Sequence, residues 1–181
     1  RSRPALVMMS GTYDLESTRG DDAQRAADEA TRNLPPRQRD RVYQSLLSRL
    51  QSPATLAIHR NGRTVTISSS SGPRVTFDAD GRTLSEPGPG GRTTLTRATL
   101  IGERLSISTS GNRNTDYLVT FEPLDNGYRM LVTRRLDSDD LPRPVTVRSY
   151  YRRVAGEPRW HVRGPEPGTG RGREGWSFFV P

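Results

Sequence analysis

Gly11-Thr12-Tyr13-Asp14-Leu15-Glu16 predicts a first β-strand, and the segments that follow it decide the fold. Two helical segments come next and form an insertion over residues 21–52. From Ala54 to about Val154 the chain is a nearly unbroken series of short strands and tight turns. This order predicts a mainly β fold: an antiparallel up-and-down β-barrel with a two-helix lid after its first strand.

The lid helices are predicted from capping residues and prolines. Asp21 and Asp22 suit the N-terminal cap of a helix that runs to about Arg32. Pro36 suits the first turn of the second helix, because proline there loses no needed donor. The apolar residues of this second helix recur at helical spacing and are Val42, Leu46, Leu47 and Leu50.

The strands are predicted from apolar residues that alternate with polar ones between turn sequences. Asn61-Gly62 between two such runs is a strong hairpin signal. The turns are too short for parallel crossovers, so we expect about nine or ten antiparallel strands that close without free edges. The predicted inward side chains are Leu56, Ile58, Val65, Ile67, Phe77, Leu105, Ile107, Tyr117, Val119, Phe121, Met130 and Val132.

Composition limits the available chemistry. The 181 residues include no Cys, and all 28 basic residues are Arg, so a thiol nucleophile, a disulfide and a Schiff-base lysine are excluded. The net charge of +8 favours acidic partners, but no run of Arg exceeds two, which disfavours nucleic acid as the partner. We expect no cofactor, and no apolar run approaches the length of a transmembrane helix.

Enzyme motifs are likewise missing from the sequence: it has no nucleophile elbow, phosphate loop or dinucleotide fingerprint. His59 and His161 lack a local Ser/Asp arrangement. The acidic loop of Asp137, Asp139 and Asp140 lacks a glycine at a calcium-loop position, which favours a solvent-exposed turn over a metal site. The sequence therefore predicts a protein that is not an enzyme and has no metal site.

The chain is expected to divide into a lead-in over residues 1–10, the barrel over 11–154 and a Gly/Pro/Arg-rich tail over 155–181. The start at Arg1 suggests a processed or truncated N-terminus. The tail ends in an apolar, aromatic tip, which predicts either docking onto another protein or folding back over the barrel. The predicted docking residues are Trp160, Trp176, Phe178, Phe179 and Val180.

Residues 11–154 resemble the calycin group, which includes the fatty-acid-binding proteins and the lipocalins. Gly11-Thr12-Tyr13 is similar to the opening Gly-x-Trp signature of the group, with tyrosine in the aromatic place. The two helices fall between the first and second strands, as in fatty-acid-binding proteins. Arg148-Ser149-Tyr150 resembles the Arg-x-Tyr that holds a ligand carboxylate there. The chain also resembles uncharacterised secreted proteins of Acidobacteria-type genomes, which imply no activity.

The alternation of the last strand conflicts with that motif. Val145 and Val147 are expected to face the core, which turns Arg148 and Tyr150 outward unless a bulge intervenes. Two hypotheses remain open. The barrel binds a small apolar or amphipathic ligand, with Arg148, Tyr150, Phe77, Tyr117, Phe121 and Met130 as ligand-binding residues.

Alternatively, the barrel is a filled scaffold. It would then be an accessory subunit of a larger extracytoplasmic or membrane-associated complex, held through residues 155–181 and the Arg-rich surface. Peripheral membrane contact is compatible with this accessory-subunit hypothesis. The resemblance implies periplasmic or secreted placement in either case.

Overall fold

The computed structural model describes residues 8–70, 72–87, 91–112 and 115–160, and over these it contains ten strands and two helices. The predicted mainly β fold, with both helices directly after the first strand, is confirmed. The bounds are β1 Gly11–Gly20, α1 Ala23–Thr31, α2 Pro36–Leu50, β2 Thr55–Asn61, β3 Thr64–Ser69, β4 Gly72–Asp78, β5 Asp80–Pro87, β6 Thr93–Ile101, β7 Arg104–Asn112, β8 Thr115–Leu124, β9 Arg129–Ser138 and β10 Val145–Ala155.

The strands form one antiparallel sheet in the order β4-β3-β2-β1-β10-β9-β8-β7-β6-β5. Because β10 pairs with β1, the meander wraps into a nearly closed barrel. The expectation that closure removes every edge is wrong at one place: within the described residues, β4 and β5 are the end strands and share no ladder. At the bend between them, the Ala79 amide donates to the Arg63 carbonyl at 2.8 Å. The bend is therefore held against the neighbouring hairpin turn.

The helices begin and end where the sequence predicts. The Asp22 side chain caps α1 and accepts a hydrogen bond from the Gln24 amide at 2.8 Å. Pro36 occupies the first position of α2. α1 buries only Ala27 and Thr31, whereas α2 buries Val42, Leu46 and Leu50 against the barrel. α2 is therefore the part of the lid that closes the apolar interior.

A large bulge in β1 turns the chain from the barrel into the lid. Leu15 pairs with Tyr151 and Gly20 with Ser149, so residues 16–19 of β1 oppose a single residue of β10. Gly20 has a φ of +91°, and a Cβ there would lie 2.6 Å from the Arg148 carbonyl oxygen. Asp21 then donates its amide to the same carbonyl at 2.8 Å. The start of the lid is thus fixed to β10.

Candidate functional site

The barrel interior is lined by the side chains that alternation predicts. All twelve predicted inward residues are buried; the least buried is Phe77, at 8% exposure. Four of them are proposed ligand residues from the sequence, namely Phe77, Tyr117, Phe121 and Met130. The structure brings these four into one apolar core with Ile58, Ile67 and Val75. Their contact with a ligand stays a prediction.

Arg148 and Tyr150 lie on the outer face of β10. The pairing of β10 with β9 runs without a break from Val145 to Arg152, so no bulge changes the alternation. Arg148 is exposed, and Tyr150 lies half-buried beneath the Arg19 guanidinium, 5.1 Å from it. The hypothesis that this pair holds a carboxylate inside the barrel is therefore corrected, because Ser149 and Tyr151 take the inward positions.

Arg134 is an inward-facing arginine that is absent from the residues predicted from the sequence. It lies on β9 between Val132 and Leu136, both buried, and is itself only 3% exposed. Its register partners across the sheet are Val119 on β8 and Val147 on β10. The signal was present in the sequence: Arg134 stands at an apolar position in the alternation of Met130, Val132 and Leu136.

Polar atoms from the end of α2 and from two strands surround the Arg134 guanidinium. Arg134 Nη1 donates to Ser52 Oγ at 3.2 Å, and Ser52 Oγ is also hydrogen-bonded to Ser149 Oγ. The Tyr117 hydroxyl donates to the Arg49 carbonyl at 2.9 Å, and the Tyr151 hydroxyl donates to the Pro53 carbonyl at 2.8 Å. We call Arg134, Ser52, Ser149, Tyr117 and Tyr151 the Arg134 cluster.

The cluster carries a positive charge in an apolar interior. Within the described ranges, no Asp or Glu forms an ion pair with Arg134. Burial raises the pKa of Tyr117 to about 12 and also raises that of Tyr151, and the Arg134 charge lowers both pKa values only in part. Both phenols are therefore protonated hydrogen-bond donors near neutral pH. Their protons are already donated to the Arg49 and Pro53 carbonyls, so the cluster offers guanidinium donors, and within the described residues it lacks an anion.

The interior is most exposed near β5, on the lid side of the barrel. One row of paired residues crosses the sheet from β5 to β8 and consists of Leu84, Thr96, Thr109 and Tyr117. The last three of these side chains are buried. Leu84 therefore belongs to an inward row, yet it is 37% exposed. β6 adds the small Thr96 and Ala98 to this part of the wall. Leu84 is therefore an inward-row side chain that solvent reaches on this side of the barrel.

A concavity lies outside the barrel. It is a groove of about 540 Å³ between α1 and the loop that joins β9 to β10. Its walls are mostly small or apolar, with Arg32, Arg143 and Glu29 at its rim, and they include Ala26, Ala30, Leu34, Pro142, Pro144 and Val145. The groove exists because the alanine face of α1 fills little volume against the loop.

The sequence predicts no function for the two histidines or for the acidic loop of Asp137, Asp139 and Asp140. His59 is exposed on β2, and His161 lies outside the described residues. Asp137, Asp139 and Asp140 are exposed, and among the residues that the structure describes no group of His, Cys, Asp and Glu is suited to a metal ion. None of the described helices is both long and apolar enough to cross a bilayer.

The predicted docking residues are only partly described. Trp160 is half-buried against its own barrel, where the Arg74 guanidinium carbon lies 4.3 Å from the centre of its ring. Trp176, Phe178, Phe179 and Val180 lie outside the described residues. Docking of the tail onto a partner protein stays a prediction, and the contact of Trp160 with Arg74 shows that residues up to 160 belong with the barrel.

Comparison with solved structures agrees with this architecture. The chain is similar to apo lipid binding protein 8 of Caenorhabditis elegans, with a TM-score of 0.50 and 16% identity over 84% of this chain and 99% of that one. It is also similar to fatty-acid-binding protein 1 of Echinococcus granulosus, with a TM-score of 0.49 and 14% identity over 82% and 98% of the two chains. For the fatty-acid-binding protein of Manduca sexta the TM-score is 0.49 and the identity 18%, over 80% and 98%.

No protein-family model and no curated protein matches the sequence. The fold is the calycin fold of fatty-acid-binding proteins, as the resemblance implied. At this level of identity the likeness establishes architecture, so function is argued from the Arg134 cluster. The resemblance to Acidobacteria-type secreted proteins stays a prediction.

Proposed function

We propose that this barrel is a non-enzymatic binding module for a small amphipathic molecule with an anionic end. The apolar part would lie among the inward side chains, and the anion would meet Arg134. The observation that carries the proposal is the buried Arg134 guanidinium, which is 3% exposed and has no carboxylate partner within the described residues. Periplasmic or secreted placement stays a prediction from the resemblance.

A buried charge is costly unless it is compensated. The penalty for removing an ion from water is several kcal/mol even in real proteins. The hydrogen bond to Ser52 offsets part of this cost. The C-terminal end of α2, at Leu50, offers roughly half a negative charge close to the cluster. A ligand carboxylate or phosphate would supply the rest, since the guanidinium presents paired donors in one plane.

The surroundings of the cluster suit an apolar chain attached to that anion. Val119, Phe121 and Met130 continue the inward face from Arg134 towards the opposite end of the barrel. The small Ala98 and Thr96 of β6 form the wall on the β5 side, next to the partly exposed Leu84. We infer that the ligand enters past Leu84, with its anionic end reaching Arg134 beneath α2.

The proposal is tested with laurate and with 1-dodecanol, which share the apolar chain and differ in charge. Binding is measured by calorimetry for the unmodified protein, Arg134→Leu and Arg148→Leu. Hydrogen bonds to a charged group are worth about 1.5–3 kcal/mol, so we expect Arg134→Leu to weaken laurate binding roughly 10- to 100-fold. Dodecanol binding should change little.

Arg148→Leu is the matched control, because Arg148 is an exposed arginine on the outer face of the adjacent strand. We expect it to bind both probes like the unmodified protein. Loss of laurate binding in Arg148→Leu, with Arg134→Leu unaffected, would restore the Arg-x-Tyr hypothesis and reject this one. Absence of laurate binding by the unmodified protein would also reject it.

A further inference from the structure

The interior wall of the barrel carries a row of hydroxyl groups on its lid side. Thr96 of β6, Thr109 of β7 and Tyr117 of β8 lie side by side, because Thr96 pairs with Thr109 and Thr109 pairs with Tyr117. The two threonines are only 8% and 7% exposed, and Tyr117 is 2% exposed. We call Thr96, Thr109 and Tyr117 the hydroxyl row.

The inward rows on the side of the hydroxyl row away from the lid are apolar. Two residues further along each strand, the next inward row consists of Ala98, Ile107 and Val119. The row after that consists of Leu100, Leu105 and Phe121. A hydroxyl is costlier to bury than a methyl group, so the two threonines mark where the wall changes from apolar to polar.

The hydroxyl row connects the Arg134 cluster with a side chain that solvent reaches. Tyr117 belongs to the cluster, and Thr96 pairs with Leu84 of β5, which is 37% exposed. Neighbouring strands lie about 4.8 Å apart, so the two steps from β8 to β6 span roughly 10 Å. A molecule whose anion lies at Arg134 would therefore face a hydroxyl-lined wall between that anion and Leu84.

We propose that the ligand of this barrel is an anionic amphiphile whose head group carries hydroxyls beyond the anion, as in a single-chain phosphoglycerol lipid. Its apolar chain lies against the apolar rows, and its anion meets Arg134. The hydroxylated end of the head group lies along Thr109 and Thr96 towards Leu84. This inference rests on the proposed function, because it names the class of ligand that the same site takes.

Ligand hydroxyls suit the hydroxyl row better than a second anion or an apolar group. A threonine hydroxyl can donate one hydrogen bond and accept two, so it pairs readily with another hydroxyl. A second anion beside Thr96 and Thr109 would lose its hydration without meeting an opposite charge on either side chain. An apolar head group would add no hydrogen bond to these hydroxyls, and burying polar groups against carbon is costly.

Two phosphate diesters test the inference, namely dodecylphosphoglycerol and dodecyl propyl phosphate. They share the dodecyl chain, the phosphate and its single negative charge, and they differ only in the hydroxyls of the glycerol. Binding to the full chain is measured by calorimetry below the micelle-forming concentrations of both esters. A net hydrogen bond between uncharged groups corresponds to about 2- to 12-fold in affinity. We expect the unmodified protein to bind the glycerol ester at least about threefold more tightly than the propyl ester.

Thr96→Val and Thr109→Val each remove one hydroxyl from the row and should lower the preference for the glycerol ester by at least about twofold. Binding of the propyl ester should change little, and it reports that each variant is folded. Thr109→Ser retains a hydroxyl and should retain the preference. Thr99→Val is the matched control, because Thr99 lies on the outer face of β6, opposite Ser106. An undiminished preference in the double variant Thr96→Val/Thr109→Val overturns the inference.

Failure of this inference is distinguishable from failure of the proposed function. Equal affinity of the unmodified protein for the two esters, with both weakened in Arg134→Leu, overturns the hydroxylated head group alone. If neither ester binds, or if Arg134→Leu binds both as tightly as the unmodified protein does, the proposed function fails and this inference fails with it.

Discussion

At the residue scale, Arg134 combines a binding role with a cost in stability. Replacing a buried charge with an apolar side chain of similar size is often stabilising by about 1–4 kcal/mol. We therefore expect ligand-free Arg134→Leu to unfold at higher urea concentration than the unmodified protein, although it binds laurate less tightly. Arg148→Leu should change the free energy of unfolding little, because Arg148 is exposed. A strongly destabilised Arg134→Leu would show that Arg134 is a structural group already satisfied by its partners.

Tyr117 makes the same interior sensitive to high pH. Burial raises its pKa from 10.0 to about 12, so the folded state holds its proton over a range in which the unfolded state releases it. The stabilisation that comes from holding this proton is fully present below pH 10. It is lost as the pH rises from 10 towards 12, and the free energy of unfolding then falls by about 1.4 kcal/mol per pH unit. Urea unfolding between pH 9 and 12 should show a shallower decline for Tyr117→Phe.

Tyr117→Phe also loses the hydrogen bond to the Arg49 carbonyl, which lowers stability by a constant amount at lower pH. Tyr128→Phe is the control, because that ring is 72% exposed. An alkaline slope of Tyr117→Phe equal to that of the unmodified protein would mean that Tyr117 ionises in the folded state.

At the element scale, the first lid helix depends on its cap more than on its packing. α1 has nine residues and buries only Ala27 and Thr31. Such short helices are marginal without tertiary support. We expect Asp22→Ala to lower the free energy of unfolding by about 1 kcal/mol, because the amides of Gln24 and Arg25 lose their acceptor.

Asp28→Ala is the control for Asp22→Ala. It removes a carboxylate from the same helix that is exposed and lies 3.7 Å from Arg32, so little change in urea unfolding is expected. Equal effects of the two substitutions would argue that net charge, rather than capping, governs the helix.

The elements were predictable because their signals are local. The Asp22 cap, Pro36 in α2 and the Asn61-Gly62 turn each act within a few residues. The alternation of β10 likewise predicted that Arg148 and Tyr150 face outward, against the motif resemblance. The inward position of Arg134 was predictable from the same alternation, whereas the Arg-x-Tyr motif contains an arginine that lies on the outer face.

At the scale of the whole molecule, the chain stays on the barrel wall past residue 155, where the tail was predicted to begin. β10 includes Ala155, Glu157 and Arg159 are hydrogen-bonded to Thr12 of β1, and Trp160 contacts Arg74 of β4. The division of the chain into a lead-in, a barrel and a tail stays a prediction.

The sequence by itself determined the order of the elements, the faces of the strands and the classes of chemistry excluded by composition. These depend on turn residues, capping and periodicity, which act over short stretches of chain. Only the tertiary structure decided that β4 and β5 share no ladder within the described residues, that Arg134 meets Ser52 from a point 82 residues earlier, and that Thr12 donates to the Glu157 carbonyl from 145 residues away. Each of these features depends on the free energy of groups that barrel closure brings together from distant parts of the chain. A pattern within a short stretch of sequence therefore does not predict them.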